Sequence, residues 1–265
     1  MTTTWMKTSG QRLRTLCAAF VMVVAVGATS ASAQEAAEDV FSDVQKEAIG
    51  DVIRDYLIAN PQLMLEVMEA LDAYESQAEA VQQRVAIEAN RDALERDGYS
   101  FVAGNPDGAI TVVEFFDYRC PYCKQTGDDM AELIKRHDDV RLVLKEFPIL
   151  GPNSTIASRA AIAAIPQGNY LDFHFALLGA EGTLDRDKVM EVAEAQGLDV
   201  DKLSSAMESE RVDRIIDDNR TLAREIGVRG TPAIVIGDEL VPGAAPLDVI
   251  EARIQAIRDA AAEAG

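Results

Sequence analysis

Residues 110–134 read ITVVEFFDYRCPYCKQTGDDMAELI. The run Ile110–Phe116 is β-branched and aromatic enough to be a buried strand. After Cys123, the residues Met130, Leu133 and Ile134 recur at helical spacing, so the stretch predicts a strand that gives way to a helix. Cys120 then falls at a helix N-terminus, where unpaired backbone N–H groups and the positive end of the dipole favour a thiolate over a thiol. Cys123, one turn later, can attack the mixed disulfide that Cys120 forms. The pattern implies thiol–disulfide exchange, with Cys120 as the exposed nucleophile and Cys123 as the deeper resolving thiol, triggered by deprotonation. Pro121 fixes φ in the first helical turn and removes a donor that would otherwise be orphaned. Tyr122 brings no positive charge. A His in this dipeptide would stabilise the thiolate further, so Tyr122 predicts a less strongly oxidising site.

A lone CxxC is also half of a zinc site, but zinc takes four ligands. In the chain expected to remain after cleavage of an N-terminal signal, His137 and His174 are the only non-carboxylate candidates outside the motif and have no paired spacing, so the reading calls for no metal and no cofactor. Glu114 interrupts the apolar strand six residues before Cys120. A buried carboxyl has a raised pKa and can move protons, which makes Glu114 a candidate proton acceptor for Cys123; the bland alternative is a solvated strand-end residue. Gly230-Thr231-Pro232-Ala233 opens a further strand, where proline is tolerated only at a start or an edge. A cis Thr231-Pro232 bond is expected, in place of an ordinary trans turn. It would set the Thr231 backbone beside Cys120, open to an extended substrate by strand addition.

Lys7, Arg12 and Arg14 precede an apolar stretch, Leu16 to Val26, and Ala31-Ser32-Ala33 fits a small-residue cleavage pattern. Residues 1–33 are therefore expected to be a signal peptide, cleaved after Ala33, that sends the protein to a bacterial periplasm. Cys17 leaves with it, and the two remaining cysteines exclude a structural disulfide framework. The formal net charge is −20, and losing three basic residues takes it to about −23, which argues against nucleic acid or anionic lipid as a partner.

Residues 34–98 are expected to form an N-terminal helical extension. Val44, Ala48, Ile49, Val52, Ile53, Tyr56 and Leu57 mark a first amphipathic segment, interrupted at Asn60-Pro61. A second segment runs from about Pro61 to Arg96 and carries Val67, Leu71, Tyr74, Ala78, Val81 and Val85 at spacings of four and three. Such a narrow seam with charged flanks suits burial against a second copy of itself, and a helix packed on its own domain is the alternative. Residues 99–265 follow, with strands at 110–116 and 140–147. Helical segments are predicted at 154–165, 170–178, 186–195, 200–207 and 210–226, then strands at 233–236 and 239–241 and a helix at 247–262. This order, β-α-β, helices, then β-β-α, is that of an α/β thioredoxin fold with a helical domain inserted at about 152–227.

These residues resemble the DsbA family. Glu114-Phe115-Phe116, the CPYC motif and Thr231-Pro232 are similar to its buried acid, redox motif and cis-proline loop, over about residues 100–262. The extension, with Ile53-Arg54-Asp55-Tyr56-Leu57 and Asn60-Pro61, resembles that of the ScsC branch, some members of which are trimeric disulfide isomerases. The resemblance implies a redox-active Cys120–Cys123 disulfide, Cys120 as nucleophile, Cys123 as resolving residue, Glu114 as proton relay, and Thr231 and Pro232, with Pro121 and Tyr122, as the substrate-binding surface. It implies unfolded or misoxidised secreted proteins as clients. It also implies a membrane redox partner, either a DsbD- or ScsB-like reductant or a DsbB-like oxidant, and a homo-oligomer such as a trimer. The leading expectation is an isomerase or reductase. A DsbA-like dithiol oxidase and a non-enzymatic, thiol-based copper-binding protein are the alternatives.

Overall fold

The computed structural model describes residues 41–264; the expected signal peptide, its cleavage site and Cys17 lie outside the described residues. The chain divides into two compact units between Asp72 and Ala73.

Helix α1 (Asp43–Ala59) opens on a capping box, in which Ser42 N donates to Gln45 Oε1 at 2.9 Å and Gln45 N to Ser42 Oγ at 3.4 Å. It ends at Asn60, and no residue of α1 is buried. Helix α2 (Gln62–Ala89) follows the proline and spans the boundary between the units. The sequence suggested one helix to Arg96. Instead α2 stops where Asn90 turns its amide back to the Ala86 carbonyl at 3.0 Å, and a short α3 (Arg91–Glu95) follows.

The second unit is built on a five-stranded sheet of order β1-β3-β2-β4-β5. The strands are β1 (Phe101–Gly104), β2 (Ile110–Phe116), β3 (Val140–Glu146), β4 (Ala233–Ile236) and β5 (Glu239–Pro242). β2 and β3 are parallel and joined by α4 (Pro121–Arg136); β1, β4 and β5 each run antiparallel to a neighbour. Between β3 and β4 come α5 (Pro152–Ala164), a 3₁₀ turn, α6 (Tyr170–Gly179), α7 (Arg186–Ala195), α8 (Val200–Met207) and α9 (Glu210–Glu225), the expected insertion. Helix α10 (Leu247–Ala264) ends the described chain. Strand β1 was not expected. Its four residues carry no alternation, and Gly104 reads as a turn; in fact Gly104 has φ +73° and a Cβ there would meet the Val140 carbonyl at 2.7 Å.

Each central strand splits its side chains between two cores, as period-2 alternation requires. Val112 and Phe116 of β2 join Leu142 and Leu144 of β3 and the apolar faces of α4–α8 and α10. Val113 and Phe115 join Val143 and Phe147 on the opposite face, covered by Leu222, Ala223 and Ile226 together with Ile87 of α2 and Leu94 of α3. Ile87 and Leu94, which lie outside the predicted seam, are buried in the sheet's second core, so the C-terminal part of the segment expected as an extension packs on the sheet. Lys145, on the same face, reaches the Ala93 carbonyl at 2.7 Å and pairs with Asp97, tying α3 to the sheet.

The candidate redox site

Cys120 is the N-cap of α4, with extended φ −74° and ψ 119°, and Pro121 occupies the first turn. The backbone reaches this pose through a tight bend, Cys120 N donating to Asp117 O at 3.0 Å, and Lys124 N then closes the first helical bond on Cys120 O at 3.1 Å. Asp117 holds the bend itself: its carboxylate accepts from the amides of Arg119, Ile149 and Leu150 at 2.8–2.9 Å. Both cysteines are thiols here.

The peptide bond Thr231–Pro232 is cis, as expected, and it brings the Thr231 carbonyl to 3.1 Å from Cys120 Sγ. The expected exposure of Cys120 is corrected by this contact. The cis-proline loop covers the thiol, leaving the residue 4 % accessible, while the neighbouring Tyr122 is 61 % exposed. Cys123 lies deeper, at 1 %. Burial pushes the Cys123 thiol well up, and the nearby Glu114 and Cys120 raise it further.

Glu114 lies on the face of β2 that packs under α4, since it alternates in step with Val112 and Phe116. It is buried and its pKa is pushed up to about 8, chiefly by desolvation, against a partial lowering by Thr126. Thr126 Oγ1 sits 3.5 Å from Glu114 Oε1 and 3.2 Å from the Tyr122 carbonyl. That hydroxyl donates to the carboxyl or to the backbone carbonyls of the first helical turn, and Thr126 lies within one turn of Cys123. The structure brings Cys120, Cys123, Glu114, Pro121, Tyr122, Thr231 and Pro232 together at the α4 N-terminus and the cis-proline loop.

Sequence reasoning missed a second buried carboxyl on the same face. Glu146 ends β3 and accepts from the hydroxyls of Tyr118 and Tyr170, both at 2.9 Å. Desolvation pushes its pKa up to about 8, and burial holds His174, 3.0 Å from the Tyr118 hydroxyl, down to about 3. The network links the residue two before Cys120 to α6 of the insertion. A Glu placed next to Phe147 and Pro148 at a strand end gives no pattern that would separate it from a solvated residue.

The profile of a DsbA-like thioredoxin domain matches residues 111–255, more than half of the chain, and the chain belongs to that family. The N-terminal domain of the copper resistance protein ScsC matches residues 45–80. Among solved structures, a thioredoxin-like oxidoreductase from Silicibacter pomeroyi is 42 % identical, covers 64 % of this chain and 98 % of its own, and superposes with a TM-score of 0.63. BcfH of Salmonella enterica Typhimurium is 27 % identical over 85 % of this chain and 98 % of its own, with a TM-score of 0.69. A linker-deletion mutant of Proteus mirabilis ScsC is 26 % identical over 82 % and 97 %, with a TM-score of 0.63. The fold is thus that of DsbA- and ScsC-type disulfide oxidoreductases. Among curated relatives, a Na(+)/H(+) antiporter, NhaA 1 of Salinispora arenicola, is 28 % identical over 155 residues, 58 % of this chain but 24 % of that protein. The chain spans about a quarter of the length of the curated relatives it matches. Among the described residues no helix is long and apolar enough to cross a membrane.

Proposed function

We propose that this protein is a periplasmic thiol–disulfide oxidoreductase that acts on protein disulfides as an isomerase or reductase. The observation that carries the reading is the contact of Cys120 Sγ with the Thr231 carbonyl at the N-cap of α4. It sets a nucleophilic sulfur beside a backbone segment suited to hold an extended client.

In this reading the Cys120 thiolate attacks a client disulfide, forming one S–S bond to the client and expelling the other client sulfur as a thiolate. Reclosure of that thiolate on a different client sulfur gives isomerisation and regenerates Cys120. Otherwise Cys123 loses its proton to Glu114 and attacks Cys120. The client leaves as a dithiol and Cys120–Cys123 becomes the disulfide, which returns to the dithiol at the expense of a membrane reductant. Tyr122 and Pro121 flank the sulfur and, with Thr231 and Pro232, form the surface that meets the client. The exposed stripe of Val67, Leu71, Tyr74, Val81 and Val85 supports assembly of several copies, such as a trimer, around one client. The likeness of residues 45–80 to the ScsC N-terminal domain supports the same assignment.

The test is refolding of a scrambled-disulfide protein, together with the redox state of the full-length protein acid-trapped in its native compartment. Recovery of native pairing that depends on Cys120, with the protein found mainly as the dithiol, is expected. Protein found mainly as the disulfide, with no unscrambling activity, would overturn the isomerase reading in favour of a dithiol oxidase.

A further inference from the structure

Each of the four residues before Cys120 is fastened to the segment 146–150 at the end of β3. Phe147 N donates to the Phe116 carbonyl at 2.9 Å. The Asp117 carboxylate takes the amides of Ile149 and Leu150, and Arg119 Nη1 donates to the Leu150 carbonyl at 2.6 Å. Tyr118 is held through its side chain: its hydroxyl donates to Glu146 Oε1 at 2.9 Å, with both residues buried. Because Cys120 N closes the bend on Asp117 O, Tyr118 and Arg119 are the two central residues of that bend.

Segment 146–150 is in turn clamped by the inserted helices. Tyr170 of α6 donates to the same Glu146 Oε1 at 2.9 Å, and His174 Nδ1 of α6 lies 3.0 Å from the Tyr118 hydroxyl. From α9, Asn219 Nδ2 donates to the Glu146 carbonyl and Arg220 Nη2 to the Pro148 carbonyl, each at 3.1 Å. Glu146 Oε2 has no partner within hydrogen-bond geometry among the described residues, although the Ser158 hydroxyl is near enough to draw the pKa of the acid down in part. The acid thus acts through one oxygen, the one that both phenols reach. Packing alone would be served as well by a leucine, which brings no group to desolvate. What the acid adds is a fixed place for the Tyr118 hydroxyl, and with it for the bend, two residues from the nucleophile.

We infer that Glu146 is a positioning residue for the exchange reaction: acting through Tyr118, it fixes the bend that sets Cys120 Sγ against the Thr231 carbonyl, and it makes α6 and α9 of the insertion part of what holds the nucleophile. The inference rests on the proposed exchange at Cys120 and adds a residue outside the surface that meets the client. Its consequence is precision rather than raw reactivity. A small disulfide can adjust its approach to the sulfur, whereas an extended client is already committed to the Thr231 backbone and must meet the sulfur there. Loosening the bend therefore costs the extended client more. The acceptor oxygen is what the network requires, not a charge: burial keeps Glu146 neutral to about pH 8. Glutamine, which retains that oxygen, is then an equivalent at neutral pH.

The probes are an unfolded peptide with one cysteine as its mixed disulfide with thionitrobenzoate, and mercaptoethanol in the same linkage. The Cys120 thiolate attacks the sulfur of the peptide or of mercaptoethanol, a new S–S bond forms, and thionitrobenzoate leaves as the thiolate, which is read by absorbance. Cys123 then displaces the captured thiol and closes the Cys120–Cys123 disulfide. At neutral pH the full-length protein is expected to favour the peptide. The ratio of the two rate constants should fall about tenfold in Tyr118→Phe and in Glu146→Leu, and hold in Glu146→Gln. Tyr170→Phe removes the other hydroxyl from the same oxygen without touching the bend, and should leave the ratio in place. An unchanged ratio in Tyr118→Phe, a ratio lost in Glu146→Gln as in Glu146→Leu, or equal losses in Tyr118→Phe and Tyr170→Phe would each overturn the inference. Tyr118→Phe keeps its ring in the core, so the comparison stands even where Glu146→Leu does not fold. A wild-type protein that reacts equally with both probes would overturn the proposed strand addition instead.

Discussion

Glu114 and Cys123 are the two buried acids of the site: burial favours the neutral form of each, and Glu114 raises the Cys123 thiol further. A carboxyl near pH 8 is matched to accepting a thiol proton only while the client is bound, when the attack on the mixed disulfide uses the thiolate at once. Glu114→Gln is therefore expected to slow resolution of the mixed disulfide by about 10²-fold and to remove a titration near pH 8 from its rate profile, with the first attack by Cys120 less affected. Stopped-flow measurement of the two steps across pH 6–9 checks this; an unchanged profile for the resolving step would exclude Glu114 as the acceptor. In Cys123→Ser the client-linked species should accumulate and be visible on non-reducing gels.

The same burial links stability to pH. Glu114 and Glu146 keep their protons to about pH 8, while in the unfolded chain they lose them near 4.5. Between these values the native state binds more protons than the unfolded one, so stability falls as pH rises, and the two carboxyls' contribution levels off above about pH 8. His174, neutral in the fold down to about pH 3, acts oppositely between 3 and 6.5. The window from 6.5 to 8 is thus governed by the two carboxyls, and urea melts should show stability declining there, with a shallower slope in Glu114→Gln.

At the scale of elements, α2 has two faces with different fates. Ile87 is sealed against Val113, Phe115 and Val235 of the sheet, whereas Leu71, Tyr74 and Val85 are open to solvent. Ile87→Ala should destabilise the catalytic unit by about 2–5 kcal/mol, the range for a large-to-small change in a packed core, measurable by denaturant unfolding. The Lys145–Asp97 pair anchors α3 beside it. Burial lowers the Lys145 pKa against the pull of Asp97; burial likewise opposes ionisation of Asp97, but Lys145 outweighs it and holds that carboxyl below its usual range. Removing Asp97 leaves an ammonium buried without a counter-charge, a cost of about 3–5 kcal/mol. Gly127 marks where α4 meets the insertion: a Cβ there would come within 3.1 Å of the Leu178 side chain.

For the whole molecule the question is assembly. The exposed stripe on α2 is apolar, and its charged flanks leave it narrow enough to suit self-association. Leu71→Glu combined with Tyr74→Glu touches nothing buried, so folding should be retained while light scattering reports a smaller particle and unscrambling activity falls. An oligomer undiminished by both changes, or a monomeric wild-type protein, would refute the seam as the assembly surface.

The sequence by itself determined the redox motif, the strand before it, the helical insertion, the cis-proline and the position of Glu114. Each is written in local pattern: a β-branched run, a CxxC at a helix start, a proline opening a strand, one acid in an apolar strand. Tertiary structure alone decided what depends on residues far apart in the chain. Strand β1 exists because β3 offers it an edge, not because Phe101–Gly104 favour extension. Ile87 and Leu94 join the catalytic core because the second face of the sheet needs a cover, a demand invisible in a helical repeat whose other stripe is the more regular. Glu146 becomes a buried acid only when Tyr118 and Tyr170 converge on it from separate elements. Cys120 is covered rather than open because a loop 111 residues away folds over it. Local propensity specifies elements and their chemistry, whereas burial is a property of what packs on them.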